Sequence, residues 1–321
     1  MQNTTELKAA VEKYIENLGL DNRKPANLYQ PMAYILSLKG KRIRPILTML
    51  AYQAVSGQQP AHAMNLAVAV EVFHNFTLVH DDIMDRAPVR RGNATVHIKW
   101  DENVAILSGD ALLAFSMDMV TRDFPEKAAQ LVKEYTHVSL AVCEGQMEDM
   151  DLAIQTNATI PDYLEMIRKK TAALLGGCMS LGAIAGGADL EIVSQFREFG
   201  ESLGIGFQLQ DDLMDAFPPE GFGKQVGGDI IENKKTYLLL KAQELADPGQ
   251  KSKIDELLQK NTESKVEEML TLFRELDIEA HTQKLILSYF DRAKALGQAL
   301  SQKTKFEPLR SYLQEIANRQ I

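Results

Sequence analysis

The stretch Phe76-Thr77-Leu78-Val79-His80-Asp81-Asp82-Ile83-Met84-Asp85 decides how the rest of the chain is read, because apolar residues at helical spacing run straight into three aspartates. The acidic end recurs as Asp211-Asp212-Leu213-Met214-Asp215, with Phe207 and Leu209 before it. On a helix turning about 100° per residue, offsets of one and four gather each triplet on roughly a third of the circumference. Both segments otherwise read as buried helix, where uncompensated charge is costly. A single DDxxD would be read as a solvated face; the doubling points to a cation held between carboxylates and a phosphate-bearing ligand. Oxygen ligands without neighbouring Cys or clustered His favour magnesium.

Working outward, amphipathic helical spacing continues through most of the chain. It breaks at Asn22 to Pro25, Ser56 to Pro60, Arg86 to Thr95, Asp123 to Pro125, Gln155 to Pro161 and Ala246 to Gln250. No run of alternating strands stands out. The expectation is an all-α, single-domain orthogonal helical bundle over residues 1–321, its long helices surrounding a central cavity. Residues Ala216 to Lys235, rich in Pro and Gly, form the longest irregular stretch and follow the second aspartate cluster directly, so they read as a loop able to close over a ligand.

Composition narrows the function. A formal charge of −9 over 321 residues argues against a general nucleic-acid or anionic-membrane binder. Cys143 and Cys178 are too few for a disulfide framework and lack zinc spacing, so they read as core residues of a reduced, cytoplasmic protein. Leu7, Ala10, Val11, Tyr14, Ile15 and Leu18 give the N-terminus a helical face unlike a secretory leader. The uncharged run Thr171 to Ala188 approaches membrane-spanning length, but its glycines fit a closely packed buried helix better than stable membrane insertion.

Against the acidic background, local cations stand out. Gly40-Lys41-Arg42-Ile43-Arg44-Pro45 and Arg90-Arg91-Gly92 bring guanidinium forks that match phosphate oxygens, although the Lys41 cluster by itself also fits ordinary surface charge. Lys170-Thr171 precedes the small-residue helix, and Lys224 and Lys234 flank Gly221, Gly223, Gly227 and Gly228 in a loop that could present amides and ammonium groups to phosphate. Gly223-Lys224 is followed by Gln225, so this is no Walker A loop. His74 lies about two turns before Asp81 on the same side of the helix and could donate to a phosphate; alone it fits a core histidine, as does His80.

Taken in order from Gly40 to Thr236, the GKRxRP stretch, HDDxxD, RRG, Lys170-Thr171, Phe207-Gln208-Leu209-Gln210-Asp211-Asp212 and Asn233-Lys234-Lys235-Thr236 resemble the trans-prenyltransferases, the isoprenyl diphosphate synthases. The resemblance implies an all-α, homodimeric, magnesium-dependent enzyme that joins isopentenyl diphosphate head to tail to an allylic diphosphate. By the same resemblance Asp81, Asp85 and Asp211 would ligate magnesium, with Asp82, Asp212 and Asp215 as ligands or supports for them. Arg90, Lys170, Lys224 and Lys234 would hold the allylic diphosphate; Lys41, Arg44, His74 and Arg91 would hold isopentenyl diphosphate; Thr171 and Gln208 would lie beside the reacting carbons. One departure is Ala216-Phe217-Pro218-Pro219, where relatives often carry a Gly-Asp stretch, so loop closure is expected to differ.

Phe76 and Thr77 lie five and four positions before Asp81, roughly 7.5 Å of helix for the longer offset, and Phe76 either fills core or forms the floor of a product channel. By the resemblance, an aromatic residue there and an uninterrupted first motif point to a short product, C20 ahead of C15. Three other readings remain: a class I terpene cyclase, which needs no second diphosphate site; a metal phosphohydrolase around His80-Asp81, short of further histidines; and a non-catalytic partner subunit of a synthase, although all the motif aspartates are present here.

Overall fold

The computed structural model describes residues 4–219, 226–260 and 264–319. In chain order the first helices are α1 (Thr4–Glu16), α2 (Ala26–Ser37), α3 (Ile43–Ser56), α4 (Met64–Met84), the short α5 (Val96–Lys99) and α6 (Glu102–Val120). Then come α7 (Ala128–Ile154), α8 (Ile160–Ile167), α9 (Ala173–Gly186), α10 (Leu190–Ala216) and the single turn α11 (Gly228–Ile231). The remainder is α12 (Tyr237–Leu245), α13 (Pro248–Gln259), α14 (Ser264–Glu275), α15 (Ile278–Lys303) and α16 (Glu307–Arg319). Among the described residues the only strands are β1 (Val89–Arg90) and β2 (Asn93–Ala94), an antiparallel pair. The all-α expectation therefore holds, with a small hairpin where the sequence showed only a break.

The chain divides into two compact units. The first holds residues up to Thr136, Gly177–Phe196 and Leu300–Ile316; the second holds His137–Gly176 and Arg197–Ala299.

In the first unit α4 is the central element. Leu66 to Val72 are buried on every side of it, as an all-round apolar helix demands, and α6, α3, α2 and α1 pack against it. α1 contributes Leu7, Val11 and Ile15, buried at spacings of four. α6 is apolar and long enough to pass for a membrane span by length and composition, with 39% of it buried; it packs along α4 and α2. Asp101 caps its start by accepting a hydrogen bond from the Val104 amide.

The small-residue run is explained by helix approach. A Cβ on Gly182 of α9 would overlap the Thr48 carbonyl oxygen of α3 and stand 2.8 Å from the Ala51 Cβ. As expected, Cys178 on this helix is buried; Cys143, also read as core, is instead exposed on α7.

In the second unit a core of Leu209, Tyr163, Ile254, Leu257, Phe273 and Ile278 lies among α8, α10 and α12 to α15. Two capping boxes set helix starts here, Thr159 with Asp162 for α8 and Asp247 with Gln250 for α13, each followed by a proline in the first turn. Between α8 and α9, residues Arg168–Ala172 widen into a π-helical turn. Gly145 of α7 and Gly204 of α10 grip this turn, since a Cβ at either would strike the backbone of Lys170 or Ala172.

Filling the α3–α9 contact should destabilise the protein. Gly182→Ala is expected to cost about 1–3 kcal/mol, read as a lower urea midpoint with helix content unchanged in circular dichroism.

Candidate functional site

Both aspartate triplets lie at helix C-termini, the last turn of α4 and the last turns of α10. That end of a helix carries partial negative charge, about half an elementary unit, and normally attracts Lys or Arg. Carboxylates there cost free energy unless donors or a cation compensate them. Each triplet meets the cost in the same way, by burying its second aspartate against donors and leaving its first and third nearer solvent.

In the first unit Asp82 is 1% exposed, and Arg90 holds it through Nε at 2.8 and 2.9 Å to the two carboxylate oxygens and through Nη2 at 2.8 Å. Asp81 is half-buried and Asp85, the helix C-cap, is exposed. Arg90 reaches Asp82 because of the hairpin. Arg91 and Gly92 both adopt left-handed backbone, φ 52° and 75°, as a two-residue turn between right-twisted strands requires. Tyr34 Oη and Thr95 Oγ1 then tie the hairpin down by donating to the carbonyls of Ala94 and Ala87 at 2.7 and 2.8 Å.

The same unit gathers a second set of cations. Arg44 Nη1 lies 3.2 Å from His74 Nε2, and Arg91 Nη1 donates to the Leu38 carbonyl at 3.4 Å. Burial drives the His74 pKa well below the usual histidine range, and Arg44, Arg91, Arg90 and Arg42 push it the same way. His74 is therefore neutral: Nε2 accepts from Arg44, which leaves Nδ1–H as the donor. Lys41 is exposed. The expected Lys41, Arg44, His74 and Arg91 set thus lies on α3, α4, the loop before α3 and the hairpin, all in one unit.

Phe76 is 7% exposed, its ring centroid 5.5 Å from Phe73 and 4.9 Å from His80. Thr77 donates from Oγ1 to the His74 carbonyl at 2.8 Å.

In the second unit Tyr163 Oη donates to Asp212, and Gln208 Nε2 donates to its other oxygen at 2.9 Å. Gln208 Oε1 accepts from Thr171 Oγ1 at 3.1 Å, so Thr171, Gln208, Asp212 and Tyr163 form one chain of hydrogen bonds. Burial outweighs the two donors and pushes the Asp212 carboxyl up to about 7. Asp211 is exposed. Asp215 accepts from the amides of Gly228 and Asp229 at 3.1 and 3.0 Å, tying the end of α10 to the start of α11. Lys170, on the π turn, is paired with Asp149 of α7. Lys234 lies 3.4 Å from Asp229; burial opposes its charge, but Asp229, Asp149 and Asp212 outweigh burial and raise its pKa. Lys224, with Gly221 and Gly223, lies outside the described residues.

Several residues of these clusters escaped the sequence reading. Tyr163, Asp149 and Asp229 hold Asp212, Lys170 and Lys234, and Lys235 Nζ caps the C-terminus of α7 by donating to the carbonyls of Leu152, Ala153 and Gln155 at 2.8, 2.8 and 2.6 Å. Arg42 and Glu71 form a buried ion pair at 2.6 Å. Arg42 and Lys235 stand within the basic motifs, and Glu71 shows as a lone acid in the apolar run Ala67 to Phe73.

Among the described residues no group of three or more His, Cys, Asp or Glu side chains is arranged to hold a metal ion by itself. Magnesium commonly needs only one or two carboxylates, completing its octahedron with water and substrate phosphate. Exposed aspartates at helix C-termini, with oxygen as the donor atom throughout, suit that ion.

A family model described as polyprenyl synthetase matches residues 25–276. A geranylgeranyl diphosphate synthase of Methanosarcina mazei is 40% identical over 68% of this chain and 68% of its own. A short chain isoprenyl diphosphate synthase of Methanothermobacter thermautotrophicus is 33% identical over 89% of this chain and 88% of its own. Among solved structures, a geranylgeranyl pyrophosphate synthase is 41% identical and covers 94% of each chain with a TM-score of 0.87. Its fold is all-α like the present one.

The raised Asp212 carboxyl gives a pH prediction. Unfolded, an aspartate ionises near 3.8; folded, this one holds its proton to about 7, so between those values the folded state binds more protons and stability falls as pH rises. In EDTA, Asp212→Asn should therefore lose less unfolding free energy than the parent from pH ~5 to ~7.5, by on the order of a few kcal/mol, and melt higher at the alkaline end. Parallel melting curves would contradict this.

Proposed function

The chain belongs to the polyprenyl synthetase family, and from that premise we propose that it joins isopentenyl diphosphate head to tail to an allylic diphosphate, giving a short all-trans prenyl diphosphate, C20 ahead of C15. The carrying observation is the second cation set, Arg44 and Arg91 around neutral His74, with Lys41 exposed on the loop before α3. It provides for a second diphosphate in addition to the one served by the aspartates. A terpene cyclase has no use for that set, and a non-catalytic subunit has no need of the aspartates at both helix ends.

On this reading Asp81, Asp85 and Asp211 ligate magnesium, and Asp82, Asp212 and Asp215 either add ligands or hold the others in place. Arg90, Lys170, Lys224 and Lys234 grip the allylic diphosphate. Bound magnesium would supply positive charge that makes this diphosphate a better leaving group. Lys170 and Lys234 sit in ion pairs with Asp149 and Asp229, which set their direction before substrate arrives. As the allylic C–O bond lengthens they neutralise charge on the departing oxygen. Thr171 and Gln208, locked to each other, present oxygen dipoles to the developing carbocation. The isopentenyl alkene attacks that cation, and the departing diphosphate takes the proton, so no side-chain nucleophile is needed. A dry cavity protects the cation from water.

The proposal includes one synthase domain over the whole chain, supported by a family match that takes in both units, and a cytoplasmic homodimer. Exposed Leu140, Cys143, Met147, Met150 and Ile154 fall at spacings of three and four along α7, a coiled-coil-like seam that favours a second copy.

The purified chain, given magnesium, labelled isopentenyl diphosphate and short allylic primers, should extend the primer by itself, with the product sized by chromatography. Consumption of the allylic diphosphate without incorporation of label would establish the cyclase instead, and no turnover of either would establish the silent subunit. Asp81→Asn is expected to lower kcat about 10²–10³-fold. Phe76→Ala should lengthen the product by at least one isoprene unit; an unchanged profile removes Phe76 as the floor.

A further inference from the structure

Arg42 caps the start of α3 in left-handed backbone, φ 52° and ψ 37°, with no glycine to ease it. Arg42 is 5% exposed, and Glu71, on α4, is 3% exposed. One guanidinium joins three elements. Nη1 donates to Glu71 at 2.6 Å, and Nη2 donates to the carbonyls of Leu36 and Leu38, at the end of α2, at 2.7 and 3.0 Å.

The neighbours of this pair are the residues read as the second diphosphate site. Lys41 immediately precedes Arg42. Arg44 and His74, two residues after Arg42 and three after Glu71, form the next rung between α3 and α4 at 3.2 Å. Arg91 shares the Leu38 carbonyl with Arg42, and its Nη1 lies 2.9 Å from where a Cβ on Gly40 would stand, so the loop from Leu38 to Arg42 and the hairpin fix each other. Glu71 also favours the charged forms of Arg44 and Arg91, which burial disfavours.

Stability alone is a poor account of such a pair, because a buried ion pair commonly adds little over well-packed apolar residues. What it adds is direction: a salt bridge and two carbonyl contacts hold a strained cap in one conformation. We propose that Arg42 and Glu71 are positioning residues for isopentenyl diphosphate, acting through Lys41, Arg44 and Arg91 without touching the substrate. This rests on the two-diphosphate reading above.

Steady-state kinetics of the full chain, with each substrate varied in turn, test it. Glu71→Gln should raise KM for isopentenyl diphosphate about tenfold while KM for the allylic substrate stays within about twofold and kcat within about threefold. Glu71→Asp should recover part of the loss. The R42M/E71M double variant should melt at or above the parent temperature and still show the raised KM; it carries the same test if E71Q is too unstable to assay. A stable R42M/E71M enzyme with parental KM for isopentenyl diphosphate would overturn the proposal, as would equal KM increases for both substrates. Lys41→Ala separates the two levels. If it leaves KM for isopentenyl diphosphate unchanged, the second-diphosphate reading fails, whereas a raised KM in K41A with a parental value in E71Q and R42M/E71M sinks the positioning role alone.

Discussion

Carboxylates at the C-terminal ends of helices are the constraint around which both clusters are built. Helix polarity opposes them, burial of α4 and α10 opposes them, and each triplet adds mutual repulsion. The response is a division of labour within each triplet. Asp82 and Asp212 turn inward and take fixed donors, Arg90 in one unit and Tyr163 with Gln208 in the other. The inward partners differ in kind. Asp82 faces a cation, whereas Asp212 faces neutral groups, and burial pushes it up to about 7. Asp85 and Asp211 stay exposed, while Asp215 accepts the amides of Gly228 and Asp229.

Several of the basic residues sit on unusual backbone. Arg42 and Arg91 are both left-handed, a conformation that costs a non-glycine residue roughly 1–2 kcal/mol. Lys170 and Thr171 sit on a π turn, a distortion that recurs at functional sites. Each irregularity is held from outside: Arg42 by Glu71, the hairpin by Tyr34 and Thr95, the π turn by the glycine-lined faces of α7 and α10. Strain concentrated where cations are presented is consistent with a site organised before its ligand binds.

Much of this was legible in one dimension because it depends on local spacing. Apolar periodicity marked the helices, and the breaks at Ser56 to Pro60 and Gln155 to Pro161 coincide with helix ends. The doubled aspartate motif pointed to a divalent cation, and the order of the motifs announced the family. The glycines of the small-residue run were read as close packing, and at Gly182 the contact is with α3. The hairpin was missed because two-residue strands leave no alternating pattern. Cys143 was misassigned to the core because a seam of apolar residues on a helix looks the same whether it faces the interior or solvent.

By itself, then, the sequence determined which residue types are available, that the chain is helical, several of its helix breaks and the class of chemistry, since each follows from residues within a few turns of one another. Tertiary structure decided the partners: Arg42 with Glu71, Tyr163 with Asp212, Lys170 with Asp149, Lys235 with the end of α7. Those pairs span from 21 to 83 positions, and their hydrogen bonds tolerate only a few tenths of an ångström. Periodicity specifies the face of a helix but not which face packs against it, so the choice of partner for each buried charge is made only when the helices meet.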